Sequence, residues 1–365
     1  MNGISDAFMG RFTSLTAHLR ANSDAIRRNA LIVLTAEIPH ARGMFPVSAT
    51  TVPPSLVDGL SWLLLNSPYA QIPPDVNRRL RALALDLRRH GFPPESYATF
   101  AEVANDVVAA SAHDRVRREE IAAATQVVRA AADIMAAEAS AADLAGIPAA
   151  TAARVTSVDT RGTGGRFHVL RLEAGMALSY RPGQFVPVMR AGAQGEWTNL
   201  APALPANPFG QLELHLDGGA APEVGSWVTL GAARGPVYRP TPGGSTLIVA
   251  ADTGAAVAKA LVFGLAEAGP ELSVRPAVHL VLLADTRRDH YDYPAFTALA
   301  EATSWLRVTR AHLGTVQQQG LRAALGEELT RASEVVVSGA SSSVAALNAP
   351  RGATVIAPDA PLHWG

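Results

Sequence analysis

Apolar residues in the first 146 positions recur at the three- and four-residue spacing of amphipathic helices. Phe8, Phe12, Leu15 and Leu19 follow this spacing near the start of the chain. Paired prolines, which commonly open helices, stand at Pro53-Pro54, Pro73-Pro74 and Pro93-Pro94. Gly146-Ile147-Pro148 then ends the last helix of this region. The pattern predicts an all-α domain over residues 1–148.

After Ala152 the pattern changes to short alternating segments that are separated by glycine and proline. The predicted strands are Arg154–Thr156, Phe167–Leu172, Phe185–Met189, Leu212–Leu216 and Trp227–Leu230. Alternation of this kind is typical of antiparallel strands that bury one face. We therefore predict an antiparallel β-barrel over residues 149–243.

From Thr246 onward, continuous apolar runs alternate with helical segments. The runs Leu247–Ala250, Val278–Leu283 and Val335–Val337 are predicted strands, and Ala256–Ala268 is a predicted helix. Strands that are apolar throughout and alternate with helices favour a parallel sheet covered on its faces. Residues 244–365 are therefore expected to form an α/β domain.

Composition excludes several classes of function. The 365 residues are 48% hydrophobic and carry a net charge of −1, so the chain can bury large cores and offers no basic surface for nucleic acid. Without cysteine, thiolate catalysis, disulfides and iron–sulfur clusters are excluded. No apolar run reaches the ~18 residues of a transmembrane helix, so we expect a cytoplasmic protein without a membrane partner. The polar run Arg287–Tyr293 is interpreted as a surface loop.

The order of the three domains and several short motifs resemble the flavohaemoglobins, in which a globin precedes ferredoxin-reductase-like FAD and NAD modules. The motifs are Pro94–Tyr97 after the haem-ligating helix, Tyr180–Phe185 in the barrel, Gly225–Gly231 after the flavin site, Ala250–Gly254 at a turn before a helix, and Val337–Gly339 near the nicotinamide pocket. The resemblance implies a chain of electron transfer from NAD(P)H through FAD to haem.

At the haem-binding positions that the resemblance implies, the residue types differ from those of the family. The proximal histidine, seven residues before Pro94, corresponds to Leu87, and the distal tyrosine, eight before Pro39, corresponds to Leu31. The distal glutamine falls near Ser55 or Leu56, and only Tyr97 keeps its type. Because leucine cannot ligate iron, haem binding is expected to be absent.

One alternative would restore an iron ligand. His90 lies three residues after Leu87 and would approach the same helix face if the register slipped. Otherwise no metal ligand is expected. We then expect Leu31 and Leu87 to be buried and to fill the space of the porphyrin, with Leu34, Phe45 or Leu83 as neighbours.

The flavin motif is also altered. Where the family has Arg-x-Tyr-Ser, this chain has Trp197-Thr198-Asn199-Leu200. The arginine that would pair with the flavin phosphate is absent, so tightly bound FAD is not expected.

The NAD(P)H-type positions are Thr253 and Gly254 at the turn and Ser338 and Gly339 at the later strand end. Backbone N–H groups at the turn could still receive a phosphate. However, Ala251-Asp252 replaces two glycines, and the carboxylate would oppose an anion. Binding of NAD(P)H or free flavin therefore stays open.

Two functions follow, and whether the chain is an enzyme stays open. The first is a degenerate flavohaemoglobin-like protein that keeps the scaffold and acts as a regulatory or interaction protein, with a protein partner such as a related redox protein. The second is an active NAD(P)H-dependent oxidoreductase, either a nitric oxide dioxygenase or a flavin reductase.

Overall fold

The computed structural model describes residues 12–68, 70–268 and 274–359, without the side chains of residues 39 and 40. Two compact units are present. The helical unit contains the described residues up to Ala150 together with Gly192–Glu196. The two-sheet unit contains Thr151–Ala191 and the described residues from Trp197 onward.

The helical unit is built from amphipathic helices around one apolar core. Its α-helices are α1 (Thr13–Ala21), α2 (Ser23–Glu37), α3 (Pro54–Leu65), α4 (Pro74–Leu87), α5 (Ser96–Ala112) and α6 (Arg118–Leu144), with 3-10 turns at Pro39–Met44 and Arg88–His90. This confirms the predicted all-α architecture; the first position of that pattern, Phe8, lies outside the described residues.

Helix ends in this unit follow the proline and glycine signals in the sequence. Pro54 and Pro74 open α3 and α4, where a missing N–H costs no helical hydrogen bond. Gly146 adopts a φ of 67° after α6, and the N–H of Ile147 donates to the carbonyl of Ala142 at 3.0 Å. This left-handed glycine satisfies the last carbonyls of the helix and ends it.

A buried carboxylate joins α1 to α6. Glu120 of α6 accepts hydrogen bonds from the Ser14 hydroxyl at 2.5 Å and from the N–H of Leu15 at 2.8 Å. The N–H groups in the first turn of a helix have no partner within the helix, so this contact caps α1 from outside.

The two-sheet unit begins with six antiparallel strands. They are β1 (Ala150–Arg161), β2 (Phe167–Ala174), β3 (Val186–Arg190), β4 (Trp197–Leu200), β5 (Gln211–Asp217) and β6 (Trp227–Gly231), in the sheet order β4-β3-β6-β1-β2-β5. Pro202, just after β4, forms a bridge to Leu214 of β5, which brings the two edges of the sheet together. The sheet is therefore curled, as the prediction of a barrel required.

The remainder of this unit is a parallel sheet covered by helices. Its strands are β7 (Ser245–Ala251), β8 (Ala277–Ala284), β9 (Leu306–His312), β10 (Glu334–Ser338) and β11 (Thr354–Ile356). The helices are α7 (Gly254–Glu267), α8 (Tyr293–Glu301), α9 (Leu313–Gln319), α10 (Leu321–Ala324), α11 (Gly326–Arg331) and α12 (Ser341–Leu347).

The order of these strands is β11-β10-β7-β8-β9. It reverses between β7 and β10, and such a reversal opens a crevice at the carboxyl ends of the strands, where open α/β sheets bind ligands. Thr253, Gly254 and Gly339 follow directly after these two strands.

The predicted fold class of helical, antiparallel and parallel modules is confirmed. None of the described helices combines the length and the apolar character that crossing a bilayer requires.

Candidate functional site

An apolar cavity of about 180 Å³ lies inside the helical unit. Its wall is formed by Ile26, Ala30, Met44, Ser55, Leu56, Val57, Gly59, Leu60, Trp62, Leu63, Leu80, Leu83, Leu87, Phe92, Tyr97, Phe100, Ala101, Ala104, Val107, Val108, Val128, Ala131, Ala132 and Met135. No histidine, cysteine or charged residue is among these described wall residues, so the cavity has the character of a dry apolar site.

The wall contains most of the positions that the sequence had assigned to a haem pocket. Leu87, Ser55, Leu56 and Tyr97 all line the cavity. Leu31 is buried in the core of the unit but is not one of the wall residues. The predicted burial is confirmed for Leu31, whereas Leu87 is only half-buried. The expectation that the two residues fill this space is wrong, because a cavity remains and only Leu87 of the two lines it.

His90 does not line this cavity. It occupies the last position of the 3-10 turn after α4, and Gly91 follows with a φ of 71° that ends the turn. The wall residues thus supply neither an imidazole nor a thiolate to an iron atom. A cavity of about 150 Å³ accommodates one benzene molecule, and a porphyrin contains four pyrrole rings. The residues and the volume found here do not fit a haem.

Tyr97 and Ser55 carry the hydroxyl groups among the described wall residues, and Tyr97 is only 2% exposed. Its hydroxyl has no hydrogen-bond partner among the described residues. Burial raises the pKa of Tyr97 to about 12, so the phenol keeps its proton at neutral pH. The ring packs edge-on against Phe92, with 5.1 Å between ring centroids. A buried hydroxyl without a partner is a costly arrangement that a ligand with a polar atom could relieve.

The four residues at the flavin position form β4, an edge strand of the antiparallel sheet. Thr198 is exposed, and Trp197, Asn199 and Leu200 are half-buried. Arg234, which no sequence motif indicated, follows β6 and donates from Nη2 to Oδ1 of Asn199 at 2.6 Å. These residues fit a flavin in part, because a guanidinium is present beside the strand although β4 itself has none.

The turn after β7 keeps the backbone of a glycine turn with a different side chain. Asp252 adopts a φ of 49°, a left-handed conformation that glycine adopts without strain. A Cβ at Gly254 would lie 2.3 Å from the carbonyl oxygen of Ser338, so only glycine permits α7 to start this close to β10. Gly254 is therefore required by packing, whether or not a phosphate binds at the turn.

Asp252 is buried, and it is paired with an arginine. Nη2 of Arg166 lies 3.1 Å from Oδ2 of Asp252 and 2.5 Å from Oδ2 of Asp217. Burial raises the pKa of Asp252, and the guanidinium of Arg166 opposes that increase. The guanidinium of Arg166 is thus paired with two carboxylates of the same chain. These two negative charges reduce the attraction of the guanidinium for a phosphate.

The second predicted anion position is also used internally. The hydroxyl of Ser338 donates to the carbonyl of Gly254 at 3.1 Å. The carboxylate of Asp359 accepts hydrogen bonds from the N–H of Ser341 at 2.8 Å and from its hydroxyl at 3.0 Å. The start of α12 therefore already holds an anionic group that belongs to the protein.

A buried cluster of charges, which sequence reasoning missed, joins β5 to α7. Lys259 of α7 lies 2.6 Å from Glu213 and 3.1 Å from Asp292, and His215 lies 3.1 Å from Glu213. Glu213, His215 and Asp292 have the arrangement of metal ligands among the described residues. The ammonium group of Lys259 lies between the two carboxylates, where it supplies the positive charge that a metal ion would bring.

The loop that contributes Asp292 is not a surface loop. Asp289, Tyr291 and Asp292 are buried, and the Tyr291 hydroxyl is 2.9 Å from Nδ1 of His215. Arg161 also donates to Asp292 at 2.7 Å. The alternation of charged and aromatic residues in this run resembles an exposed loop, and it gave no signal that its partners lie on β5 and α7.

No protein-family model matches this sequence, and no curated protein matches it. The structure is similar to that of the flavohaemoglobin from Malassezia yamatoensis, which was determined with bound FAD and haem, with a TM-score of 0.69 and 14% identity over 95% of this chain and 99% of that one. Weaker similarity, with a TM-score of 0.46 and 20% identity over 57% of this chain and 69% of that one, is found to a ferredoxin reductase in carbazole 1,9a-dioxygenase.

The FAD/NAD-binding domain of a nitric oxide dioxygenase from Vibrio cholerae O1 biovar El Tor is also similar, with a TM-score of 0.42 and 14% identity over 57% of this chain and 99% of that one. The Malassezia structure confirms, at the level of fold, the resemblance that the motifs indicated. The chain has the fold of a flavohaemoglobin, and at this identity the similarity concerns the fold alone.

Proposed function

We propose that the chain keeps the flavohaemoglobin scaffold without haem and without tightly bound FAD, and that it acts as a regulatory or interaction protein. One observation carries this proposal. The cavity in the helical unit has Leu87 in its wall, has no histidine or cysteine among its described wall residues, and has a volume of about 180 Å³. An iron porphyrin would find neither an axial ligand nor sufficient space there.

The two-sheet unit supports the same proposal. Arg166 is paired with Asp217 and Asp252 beside the turn that precedes α7, and Asp359 caps α12. Groups of the protein itself therefore take part in the contacts that a dinucleotide phosphate would need. Each unit also has its own hydrophobic core of buried residues.

The partner in this proposal is a protein, and a related redox protein is the first candidate. This candidate follows from the flavohaemoglobin fold of the chain, and it does not require the chain to transfer electrons. No contact with nucleic acid or membrane is part of the proposal.

A second function is favoured by two features of the two-sheet unit. Arg234 places a guanidinium 2.6 Å from Asn199 on β4, and the turn at Thr253 lies at the reversal of strand order. A flavin and NAD(P)H could use these groups with lower affinity. The chain would then be an NAD(P)H-dependent reductase without the globin reaction.

Absorption spectra separate the two functions. The full chain is purified from cells supplied with a haem precursor and riboflavin, and is then titrated with hemin, FAD and NADH. We expect no stoichiometric Soret band, no bound flavin, and no FAD affinity tighter than micromolar. A Soret band that disappears in His90→Ala would contradict the haem-free proposal and establish the slipped register. Tight FAD binding with NADH-dependent reduction of an artificial acceptor would establish the reductase.

A further inference from the structure

We propose that the cavity of the helical unit binds a compact, uncharged and largely apolar molecule that carries one hydrogen-bonding oxygen. The ligand class is that of a substituted benzene with a single carbonyl or hydroxyl group. The proposal rests on the proposed absence of haem, because a porphyrin and such a ligand would compete for the same space.

Size sets the first limit on the ligand. The cavity measures about 180 Å³, and an apolar cavity of about 150 Å³ takes up one benzene molecule. A single ring with one short substituent matches this volume. Extended acyl chains and fused macrocycles exceed it.

Charge sets the second limit. The described wall residues include neither a carboxylate nor an ammonium or guanidinium group, and most of them are aliphatic or aromatic. An ionised ligand would lose its hydration without gaining a counter-ion, which is strongly unfavourable. The ligand is therefore neutral.

The hydroxyl of Tyr97 determines which polar atom the ligand carries. This hydroxyl is buried and has no hydrogen-bond partner in the described part of the chain, where the only other hydroxyl of the wall is that of Ser55. An ordered water needs two to four polar partners, so a purely aqueous filling is poorly supported here. The protonated phenol of Tyr97 can donate to a carbonyl or hydroxyl oxygen, and a bound ligand would supply this acceptor.

Two probes of the same shape test this inference. Acetophenone and α-methylstyrene differ only in a carbonyl oxygen that replaces a methylene group. Binding of each to the full chain is measured by calorimetry and by ligand-observed NMR, with benzoate as the charged probe. We expect both neutral probes to bind, acetophenone to bind more tightly, and benzoate not to bind.

Three variants assign the binding to the cavity. Tyr97→Phe should weaken acetophenone roughly five- to tenfold, the effect of one neutral hydrogen bond, and leave α-methylstyrene unchanged. Tyr180→Phe, outside the cavity, should leave both affinities unchanged. Ala101→Leu fills the space and should abolish binding of both probes; Ala132→Val makes a smaller filling change if the first variant loses helical content.

The possible results are distinguishable from those that test the proposed function. Absence of probe binding to a colourless protein would overturn the ligand inference and leave the haem-free proposal intact. Equal effects of Tyr97→Phe on both probes would overturn the role of its hydroxyl. A stoichiometric Soret band in the same preparation would overturn the haem-free proposal itself.

Discussion

Lys259, the only lysine of the chain, places its ammonium group 2.6 Å from Oε1 of Glu213 inside the two-sheet unit. Lys259 belongs to α7 over the parallel sheet, whereas Glu213 belongs to β5 of the antiparallel sheet. Both residues are buried, with exposures of 8% and 3%. The contact therefore joins the two sheets by a buried ion pair. Each of the two charges would be left without a counter-charge if the other were removed.

Replacing Lys259 by methionine should destabilise the two-sheet unit by about 3–5 kcal/mol, the usual cost of leaving a buried charge without its partner. The methionine retains the volume, so the loss reports on the carboxylates of Glu213 and Asp292. Urea unfolding followed by circular dichroism measures the change. Arg171→Gln is the matched control, because Arg171 contacts Glu213 at 3.5 Å from an exposed position and should cost less than about 1 kcal/mol. Similar costs for both variants would contradict the assignment.

Removal of the ammonium group should also convert the cluster into a metal site. One ligand atom from each of Glu213, His215 and Asp292 lies within 4.8 Å of the others. In Lys259→Ala we expect Zn²⁺ to bind and to raise the melting temperature, whereas the wild type should show no such response. Equal effects of Zn²⁺ on the two proteins would show that any binding occurs elsewhere.

Stability should fall at acidic pH because of Glu213. Burial raises the pKa of Glu213, but hydrogen bonds from His215 and Lys259 outweigh it and lower the pKa to about 2. The unfolded value is about 4.3. Because the pKa of Glu213 is lower in the folded state, the ionised carboxylate stabilises the protein at pH values above its pKa in the unfolded state. This contribution is lost as the pH falls from about 4.3 towards 2. Urea midpoints at pH 6, 4 and 3 should decline more steeply in the wild type than in Glu213→Gln; parallel declines would contradict this role.

The sequence predicted those parts of the structure that depend on local pattern. Proline and glycine signals located the helix ends, and the short count from the Pro94–Tyr97 motif placed Leu87 and Tyr97 at one cavity, although a 3-10 turn at Arg88–His90 interrupts the helix between them. The same counting failed for Leu31, because its position on α2 depends on how that helix rotates against its neighbours. A rotation of this kind is a property of packing and leaves no mark on residue spacing.

Long-range pairs could not be predicted in the same way. Arg166 and Asp252 are separated by 86 positions and meet only because β2 and the turn before α7 lie together in the folded unit. The strand Leu306–His312 was also missed. Only Leu306 of this strand is buried, and Arg307 and Arg310 are exposed, so the segment has no apolar alternation that would identify it. Its parallel pairing with β8 makes it a strand.

Asp252→Gly should improve dinucleotide binding at the turn before α7. The change removes a carboxylate, restores a residue suited to the φ of 49°, and releases Arg166 from one of its two partners. We expect the NADH dissociation constant to fall about tenfold, on the scale of one nearby charge in a partly screened site. Calorimetry measures it. Asp252→Asn removes only the charge, so an equal gain there would assign the effect to electrostatics, and no gain in either variant would show that NADH does not use this turn.

Tyr97→Phe should stabilise the helical unit, although the same substitution usually destabilises a protein at a buried tyrosine. Among the described residues the Tyr97 hydroxyl has no hydrogen-bond partner, so its removal relieves the cost of a desolvated polar group, about 1 kcal/mol or more. For a unit of this size the melting temperature should rise by roughly 2–4 °C. The helical signal in far-ultraviolet circular dichroism, recorded without added ligand, measures this change.

Tyr180→Phe provides the matched control, because that hydroxyl donates to the carbonyl of Leu204 at 3.1 Å and burial raises the pKa of Tyr180 to about 12 as well. This control should lose about 1 kcal/mol, since it leaves a carbonyl unpaired. Opposite signs for two chemically identical changes would show that the partner of the hydroxyl determines the outcome, whereas a loss of stability in Tyr97→Phe would mean that the cavity already holds a group bonded to Tyr97.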